Sequence, residues 1–238
     1  MTRTTSIQDF DITTMARRFA EDGTVQTPPV LSPEDLADVR GNIDRYCIQL
    51  VPMLAPHIRE ETVRYESDGE SIRSCYFMDQ IDEYFRDLGN SPMFKDLVRG
   101  VVGYDVELYV VETFNKNARV GSAAPPHQDC AFMRVQPNDV VNLWISIDRA
   151  TAQNGAVRYW KGSHRNGLLP HVDHHYGLRA DEACVDHDAE LIVAELEPGA
   201  ASLHSGLVLH DSPQNTSGQA RLGLICGYRG VHTRFLRE

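Results

Sequence analysis

The chain has 238 residues, of which 42% are hydrophobic and 24% are charged, and its formal net charge is −11. These values are typical of a globular protein that is long enough to bury a core without disulfides or structural metals. The acidic balance argues against a nucleic-acid backbone as a partner. No apolar run approaches the roughly 18–20 residues that span a bilayer, which argues against a membrane protein.

The cysteines and the first residues indicate where the protein works. Five cysteines are scattered through the sequence with no C-x-x-C pair, at positions 47, 75, 130, 184 and 226. This odd and dispersed set argues against a disulfide framework or a zinc knuckle and favours a reducing compartment. The first residues are polar and lack the apolar centre of a signal peptide, so we expect a cytoplasmic protein.

The first part of the chain carries helix signals. Residues 1–30 are polar and are expected to form a peripheral segment. Ser32 is a favourable N-cap followed by a proline and two acids, and apolar residues three or four apart predict a helix to Leu50 that stops at Pro52. A second helix is predicted to begin after Ser91, which is again followed by proline.

From residue 104 onwards the sequence favours β-strands. Short segments rich in valine, leucine, isoleucine and aromatic residues are separated mostly by Gly, Pro, Asn and Asp. We predict strands at residues 104–114, 140–147, 156–160, 191–196, 201–204, 207–209 and 222–228. Helices followed by many short strands predict an α+β chain, mainly β, with a sandwich or a barrel. Residues 166–188 are predicted to form an irregular loop over a binding site.

One short stretch suggests a metal site. In Pro125-Pro126-His127-Gln128-Asp129-Cys130, an imidazole and a carboxylate stand two residues apart. Alternate residues of a strand project from the same face, so His127 and Asp129 can approach one metal ion from the same side. Taken alone, the triplet is also compatible with a turn in which the aspartate accepts from backbone amides.

A second His-x-Asp triplet, His171-Val172-Asp173, offers an alternative pair. It lies in the predicted irregular loop, where no strand fixes both side chains on one side. We therefore expect the first triplet, and not the second, to bind metal. The second is expected to lie over the pocket.

A metal site of two histidines and one carboxylate needs a second histidine from a distant strand. The candidates are His204 and His210. His210 precedes a polar turn, and Arg221 begins the next predicted strand, so an antiparallel return brings Arg221 near His210 and Ser212. A guanidinium there can bind a carboxylate through paired charge-assisted hydrogen bonds. His204 is expected to have a structural role.

The predicted strand before these residues has one mixed face. Asn142, Trp144 and Ser146 alternate with aliphatic residues and therefore project from the same face. The aliphatic face is suited to packing under an outer layer. The mixed face is typical of the interior of a barrel that holds a ligand.

The sequence resembles the phytanoyl-CoA dioxygenase family of Fe(II)- and 2-oxoglutarate-dependent oxygenases from about residue 31 to residue 230. The matching segments are FNK at 114–116, PHQD at 126–129, VNLWISID at 141–148, NGAVRYWKGSHRNGLLPH at 154–171 and HDSPQNTSGQAR at 210–221. The resemblance implies a double-stranded β-helix, the cupin-like jelly-roll, with N-terminal and flanking helices. It implies one domain over residues 1–238, with mostly helical support at 31–103 and the jelly-roll core at 104–230.

The resemblance also implies the reaction and the residues that perform it. The reaction is oxidation of an unactivated C–H bond of a small molecule, with Fe(II) as cofactor and 2-oxoglutarate and O2 as cosubstrates. Hydroxylation is favoured, and desaturation, epoxidation or cyclisation by the same oxidant stay open. Iron ligands are expected at His127, Asp129 and His210. The expected cosubstrate contacts are Arg221 and Ser212 to the distal carboxylate, Trp144 in the pocket wall, and Lys116 or Asn115 at its rim. Substrate contacts are expected from Arg134, His164 and His171.

One position departs from the family pattern, and two other functional classes stay open. Lys161 stands before Gly162-Ser163-His164 where the family usually has proline, which is expected to change only a loop. The alternatives are a non-catalytic jelly-roll protein that binds a metal or ligand and a cupin-type metal enzyme without oxidative chemistry. Asp129 favours oxygen transfer, since related halogenases lack this carboxylate. The sequence indicates neither the substrate nor the oligomeric state.

Overall fold

The structure is a computed structural model, and it describes residues 7–133, 135–175 and 177–236. These residues form six α-helices: α1 (Ile12–Asp22), α2 (Pro33–Arg45), α3 (Pro56–Thr62), α4 (Met78–Ile81), α5 (Glu83–Gly89) and α6 (Pro92–Val102). Within the described ranges, no helix has both the length and the apolar character needed to cross a membrane.

Most of the regular structure beyond the helices is antiparallel β-sheet. The described strands are β1 (Thr24–Thr27), β2 (Val63–Tyr65), β3 (Ile72–Cys75), β4 (Val106–Lys116), β5 (Ala124–His127), β6 (Val135–Gln136), β7 (Val140–Ser146), β8 (Arg158–Trp160), β9 (His171–His174), β10 (Gly177–Ala180), β11 (Leu191–Val193), β12 (Ala201–Ser205), β13 (His210–Ser212), β14 (Arg221–Gly230) and β15 (Arg234–Phe235). The larger sheet has the order β1-β12-β7-β14-β4-β3-β2, and a four-stranded sheet has the order β11-β8-β13-β5. Two short pairs, β9 with β10 and β6 with β15, complete the set.

The two main sheets enclose the candidate site. An apolar cluster containing Trp144 of the larger sheet and Tyr159 of the smaller one lies between them. The opposite face of the larger sheet packs on the helices, where Leu143 and Leu203 share a cluster with Phe85. A sandwich of antiparallel sheets with helices on one side confirms the predicted jelly-roll fold.

The helix after Ser32 begins as predicted, with the Ser32 hydroxyl accepting from the Asp35 amide at 3.1 Å. The α-helix itself ends at Arg45 and continues as a π-helical turn, Tyr46–Leu50. Helical structure reaches Leu50 as predicted, but its type changes after Arg45, and it does not stop at Pro52, because a 3₁₀ turn, Val51–Met53, follows. Tyr46 at this change is fully buried.

The N-terminal segment contains more structure than its polar composition indicates. Asp11 caps α1 by accepting from the Thr14 amide at 3.1 Å, and Gly23 ends the helix at a φ of 80°. The next residues form β1, which pairs with β12 at the edge of the larger sheet. This helix and this strand are absent from the sequence prediction, although both cap residues were available as signals.

Two β-region predictions are also wrong. The predicted strand at 207–209 is a turn, and the strand begins at His210, which pairs with both His127 and Tyr159. The segment 166–188 is not irregular throughout, because β9 and β10 form an antiparallel pair within it. Tertiary pairing partners decided both cases, and they are not visible in local sequence.

Candidate metal centre

Three side chains with metal-binding groups converge where β5 meets β13. His210 lies directly opposite His127 in the register, and their ring centroids are 4.2 Å apart. Asp129 follows in a short 3₁₀ turn, and its Oδ1 lies 3.7 Å from His127 Nε2 and 3.6 Å from His210 Nε2. One donor atom of each lies within 4.8 Å of the others, and no other such group occurs among the described residues.

The hydrogen bonds of the two histidines leave their metal-facing nitrogens free. His127 Nδ1 donates to the Pro125 carbonyl at 2.7 Å, and His210 Nδ1 donates to the Val208 carbonyl at 3.1 Å. A carbonyl oxygen only accepts, so each Nδ1 carries the proton and each Nε2 keeps a lone pair. Burial lowers the pKa of both imidazoles, that of His127 to about 4, so both rings are neutral as metal binding requires.

Asp129 is held by neighbours that occupy only one of its oxygens. Its Oδ2 accepts from Asn142 Nδ2 at 2.7 Å and from His204 Nε2 at 3.1 Å. Burial would raise the pKa of Asp129, but His210 and His204 together hold it below its ordinary value. The site therefore offers two neutral nitrogens and one carboxylate oxygen, which is the donor set of a non-haem Fe(II) site.

His204 orients the carboxylate instead of joining the ligand group. Its Nε2 contacts Asp129, and its Nδ1 lies 3.1 Å from the Tyr159 hydroxyl, so both ring nitrogens have partners. His204 also lies directly opposite Asn142, the other residue bound to Asp129 Oδ2. Of the two histidines considered from the sequence, His210 is the one that meets His127 and Asp129.

Two buried basic side chains lie on the same inner face of the larger sheet. Arg221 and Lys116 stand directly opposite each other on β14 and β4, and each is 3% exposed. Arg221 Cζ lies 5.1 Å from the centre of the Trp144 ring, and Arg221 Nε has no hydrogen-bond partner among the described residues. Burial lowers the pKa of Arg221 to about 10 and, together with the charge of Arg221, that of Lys116 to about 6. A buried guanidinium with an unused N–H fits a carboxylate ligand.

Lys116 and Ser212 join the strands that carry the two candidate histidine ligands. Lys116 Nζ donates to the Ser212 carbonyl at 3.2 Å and also to the carbonyl of Ser122, just before β5. The Ser212 hydroxyl donates to the Gly155 carbonyl at 2.7 Å. The hydroxyl proton of Ser212 is therefore already in a hydrogen bond. To donate to a bound carboxylate, the hydroxyl must rotate away from Gly155.

Trp144 needs space that a glycine provides. A Cβ atom on Gly223 would lie 2.2 Å from the ring of Trp144. Glycine at this position lets the indole lie across β14, where its ring also meets Arg221. The predicted place of Trp144 in the wall of the barrel interior agrees with this geometry.

Asn115 is not at the site. It follows Phe114 and precedes Lys116 on β4, so its side chain projects from the opposite face. Its amide donates to the Ile72 carbonyl at 3.3 Å and to Asn117 Oδ1 at 2.9 Å. The structure therefore leaves Lys116 as the rim residue of the two that the sequence proposed.

His164 belongs to a turn that caps α1. Its Nε2 donates to the Ala20 carbonyl at 3.2 Å, and the Gly162 amide donates to the Asp22 carbonyl at 2.8 Å. These donors meet carbonyls of the last turn of α1, which have no partner inside the helix. The structure gives His164 this capping role and does not place it with the metal-binding group. Arg134, the other predicted substrate contact before the loop, lies outside the described residues.

His171 lies beside the metal-binding strand but has no free nitrogen. Its Nδ1 donates to the Leu169 carbonyl at 2.8 Å, and its Nε2 accepts from the Gln128 amide at 3.1 Å. Asp173, its partner in the second triplet, is exposed. The second triplet therefore does not form a metal group in this structure, as its loop position indicated.

Gln128 is a residue of the site that sequence reasoning missed. It is fully buried, and its Nε2 donates to the Gly167 carbonyl at 2.9 Å and the Leu207 carbonyl at 2.6 Å. Its Oε1 accepts from the Leu169 amide at 2.7 Å. Gln128 thus ties the metal-binding strand to the loop that follows β8. The available signal was a polar residue between two inward-facing candidate ligands, which must point away from them.

Comparison with known proteins agrees with this geometry. A family model described as phytanoyl-CoA dioxygenase (PhyH) matches residues 19–223. The chain is similar to an L-proline trans-4-hydroxylase of Streptomyces griseoviridis, with 25% identity over 236 residues, which cover 90% of this chain and 85% of that protein.

Solved structures show the same fold. EvdO2 from Micromonospora carbonacea var. aurantiaca, complexed with 2-oxoglutarate, superposes with a TM-score of 0.72 at 22% identity, covering 100% of this chain and 96% of that one. The epimerase SnoN, in complex with Fe3+, α-ketoglutarate and nogalamycin RO, superposes with a TM-score of 0.76 at 18% identity, covering 95% and 86%. Because the family model covers most of the sequence, the chain belongs to the phytanoyl-CoA dioxygenase family of Fe(II)- and 2-oxoglutarate-dependent oxygenases.

Proposed function

We propose that His127, Asp129 and His210 bind the Fe(II) of this oxygenase and that Arg221 binds the distal carboxylate of 2-oxoglutarate. One observation carries the proposal. Two imidazole nitrogens with free lone pairs and one carboxylate oxygen meet within 4.8 Å. The inner face of the adjoining sheet also holds a buried guanidinium whose Nε has no partner in the described part of the chain.

The surrounding residues fix the geometry of this site. The carbonyls of Pro125 and Val208 set the orientation of the two imidazole rings through their Nδ1 protons. Asn142 and His204 hold Asp129 Oδ2, which leaves Oδ1 for a metal ion. His127, Asp129 and His210 would hold Fe(II) from one side, and the metal with 2-oxoglutarate and O2 would supply the oxidising power for attack on a C–H bond.

The cationic end of the interior supports the cosubstrate role. A dicarboxylate needs compensating charge when it leaves water, and Arg221 supplies it. A carboxylate bound there would also favour the protonated form of Lys116, which stands opposite Arg221 on the neighbouring strand. Trp144 covers the Arg221 guanidinium, which limits its contact with water. Ser212 lies beside Lys116 and contributes a second hydrogen-bonding group once its hydroxyl rotates.

The proposed reaction is hydroxylation of a small molecule. The similar L-proline trans-4-hydroxylase acts on a small molecule, and Asp129 occupies the position that a halogenase leaves open for halide. A role in biosynthetic tailoring or catabolism and a cytoplasmic location stay predictions from the sequence.

An anaerobic titration tests this proposal. Fe(II) and then 2-oxoglutarate are added to the metal-free protein while the weak visible charge-transfer band of the Fe(II)–2-oxoglutarate complex is followed. O2 is then admitted, and succinate is measured by mass spectrometry. We expect the band and succinate from the natural protein, and neither from His210→Ala.

The same titration separates the alternative classes. A metal enzyme without oxidative chemistry binds Fe(II) but produces no band with 2-oxoglutarate and no succinate. A protein that only binds a ligand also fails to produce succinate when O2 is admitted. Either result contradicts the proposal, whereas succinate that depends on His210 supports it.

A further inference from the structure

One carboxylate inside the barrel takes no part in the proposed metal or cosubstrate site. Glu112 lies on β4, directly opposite Ile225 of β14, which in turn lies directly opposite Trp144 of β7. Directly opposite residues of antiparallel strands project from the same face. Glu112 therefore faces the interior that also holds Trp144, and it is half-buried there.

No described residue pairs with the charge of Glu112. In the described ranges of the chain, no Lys, Arg or His nitrogen lies within 4.0 Å of its carboxylate, and no donor forms a hydrogen bond with it. Its nearest charged neighbours repel it. Burial, with the charges of Asp129 and Asp79, raises the pKa of Glu112 to about 8. An unpaired carboxylate in such a place is costly to the folded protein, and a bound cation would offset that cost.

Inside the barrel, the basic side chains and the acidic side chains lie at opposite ends. Lys116 and Arg221 form one end, and Glu112 lies four residues along β4 from Lys116, roughly 13 Å at the usual rise of a strand. The cationic end suits the dicarboxylate cosubstrate. The other end, near Asp129, presents negative charge to the remaining space, where the substrate must lie.

Aromatic rings adjoin the same position. A Cβ on Gly223 would lie 2.2 Å from the Trp144 ring, and a Cβ on Gly227 would lie 2.6 Å from the Tyr109 ring. These glycines flank Ile225, the residue opposite Glu112, so the two rings lie over β14 on either side of this position. A carboxylate between aromatic rings is a favourable setting for a cationic nitrogen.

We propose that Glu112 binds a positively charged nitrogen group of the substrate, so that the substrate is a small molecule with a protonated amine or a related cation. This inference rests on the proposed function, because it assigns the substrate end of the same site. In the loaded enzyme, the metal ion offsets the charge of Asp129 and thereby favours the ionised form of Glu112.

The first test measures the metal-free protein and needs no substrate. Glu112→Gln removes the repelled charge at nearly constant volume, so its Tm should rise by about 2–4 °C at pH 8.5, above the pKa of Glu112. The control is Glu107→Gln on the same strand, because Glu107 already pairs with Arg229. Its Tm should stay the same or fall. A lower or unchanged Tm for Glu112→Gln would show that the carboxylate is satisfied within the protein, and this would overturn the inference.

The second test measures ligand binding to the anaerobic Fe(II)–2-oxoglutarate complex. The probes are alkylammonium ions from methylammonium to cyclohexylammonium and free amino acids, each compared with its N-acetyl counterpart. We expect the cationic probes to shift the charge-transfer band and the N-acetyl forms to be at least about tenfold weaker. Glu112→Gln should remove this preference while its band with Fe(II) and 2-oxoglutarate stays intact.

The outcomes separate the two proposals. A natural protein that forms no band contradicts the proposed function. An intact band that no ammonium probe shifts, or that N-acetyl probes shift equally well, overturns the inference about Glu112 and leaves the metal site supported. A preference for cations that survives in Glu112→Gln also overturns the inference.

Discussion

The two His-x-Asp triplets of this chain have the same spacing, and each begins on a strand, yet only one forms a metal group. In the first, His127 uses Nδ1 on the Pro125 carbonyl and keeps Nε2 free, close to Asp129 and opposite His210. In the second, both nitrogens of His171 have protein partners, and Asp173 faces solvent. The spacing of a motif places two side chains, but the hydrogen bonds around them decide whether they are available to a metal.

The two triplets also differ in what lies across from them. The strand opposite His127 supplies His210, and the larger sheet supplies Asn142 and His204 to Asp129. The strand opposite the second triplet is β10, whose residues facing it are Leu178, Arg179 and Ala180. None of these is a metal-binding residue type, so the opposite strand supplies no third ligand to the second triplet.

The largest expected effect is the loss of metal binding in His127→Ala. Removal of one of three ligands should weaken Fe(II) binding by more than the roughly 10–100-fold that loss of a ligand-orienting group costs. Anaerobic equilibrium dialysis with metal analysis measures the affinity. His171→Ala is the matched control and should stay within about threefold of the natural protein, because His171 only links backbone groups. The reverse pattern would move the metal site to the second triplet.

The next effect concerns Arg221, the buried cation proposed to bind the cosubstrate. Arg221→Ala should raise the 2-oxoglutarate concentration needed for the charge-transfer band by about 100-fold, or roughly 3 kcal/mol, because a buried carboxylate loses its charged partner. Arg221→Lys should recover part of this loss. The control is Arg158→Ala, since Arg158 already pairs with Asp211, its Nε lying 2.8 Å from the carboxylate. Equal 2-oxoglutarate requirements in Arg221→Ala and Arg158→Ala would remove Arg221 from the cosubstrate site.

A smaller effect is expected from the groups behind the ligands. Asn142→Leu removes a donor to Asp129 Oδ2 and should weaken Fe(II) binding by about tenfold.

Gln128→Leu leaves buried backbone groups of the loop without partners, at about 1–3 kcal/mol each, and should lower the free energy of unfolding. The folded Gln128→Leu protein should bind Fe(II) within about threefold of the natural one. Dialysis measures the Fe(II) affinity of each variant, and denaturant unfolding measures its stability. A larger loss of Fe(II) affinity in Gln128→Leu than in Asn142→Leu would show that Gln128, and not Asn142, supports the ligands.

Much of the candidate site could be predicted from the sequence, because several of its residues are related by short-range spacing along a strand. His127 and Asp129 approach each other as their spacing indicated. The antiparallel return expected to bring Arg221 to His210 and Ser212 does not form, because β13 and β14 lie in different sheets. Arg221 instead stands opposite Lys116, which contacts the Ser212 carbonyl. The alternation of Asn142 and Trp144 with aliphatic residues correctly indicated an inner face. Local periodicity carries this information, since the period of a strand is two residues.

Other features depended on partners distant in sequence. Asn115 and Lys116 are neighbours, and only the register with Arg221 shows that Lys116 is the inward residue. His164 was expected at the substrate, but the carbonyls at the end of α1 accept its hydrogen bond. Glu112 stands in an apolar strand, and its unpaired position inside the barrel emerges only when β4 is placed beside β14.

The sequence by itself determined the donor set of the site, the order of its segments, the helices that begin after Ser32 and Ser91, and the mainly β character of the chain. These features follow from residue type and short-range spacing. Tertiary structure decided which His-x-Asp triplet has free donor atoms. It also decided that His210, and not His204, joins the candidate ligand group, and which carboxylate stays unpaired among the described residues. The physical reason is that the availability of a lone pair or a charge depends on every hydrogen-bonding group within about 3 Å, and packing brings those groups together from distant parts of the chain.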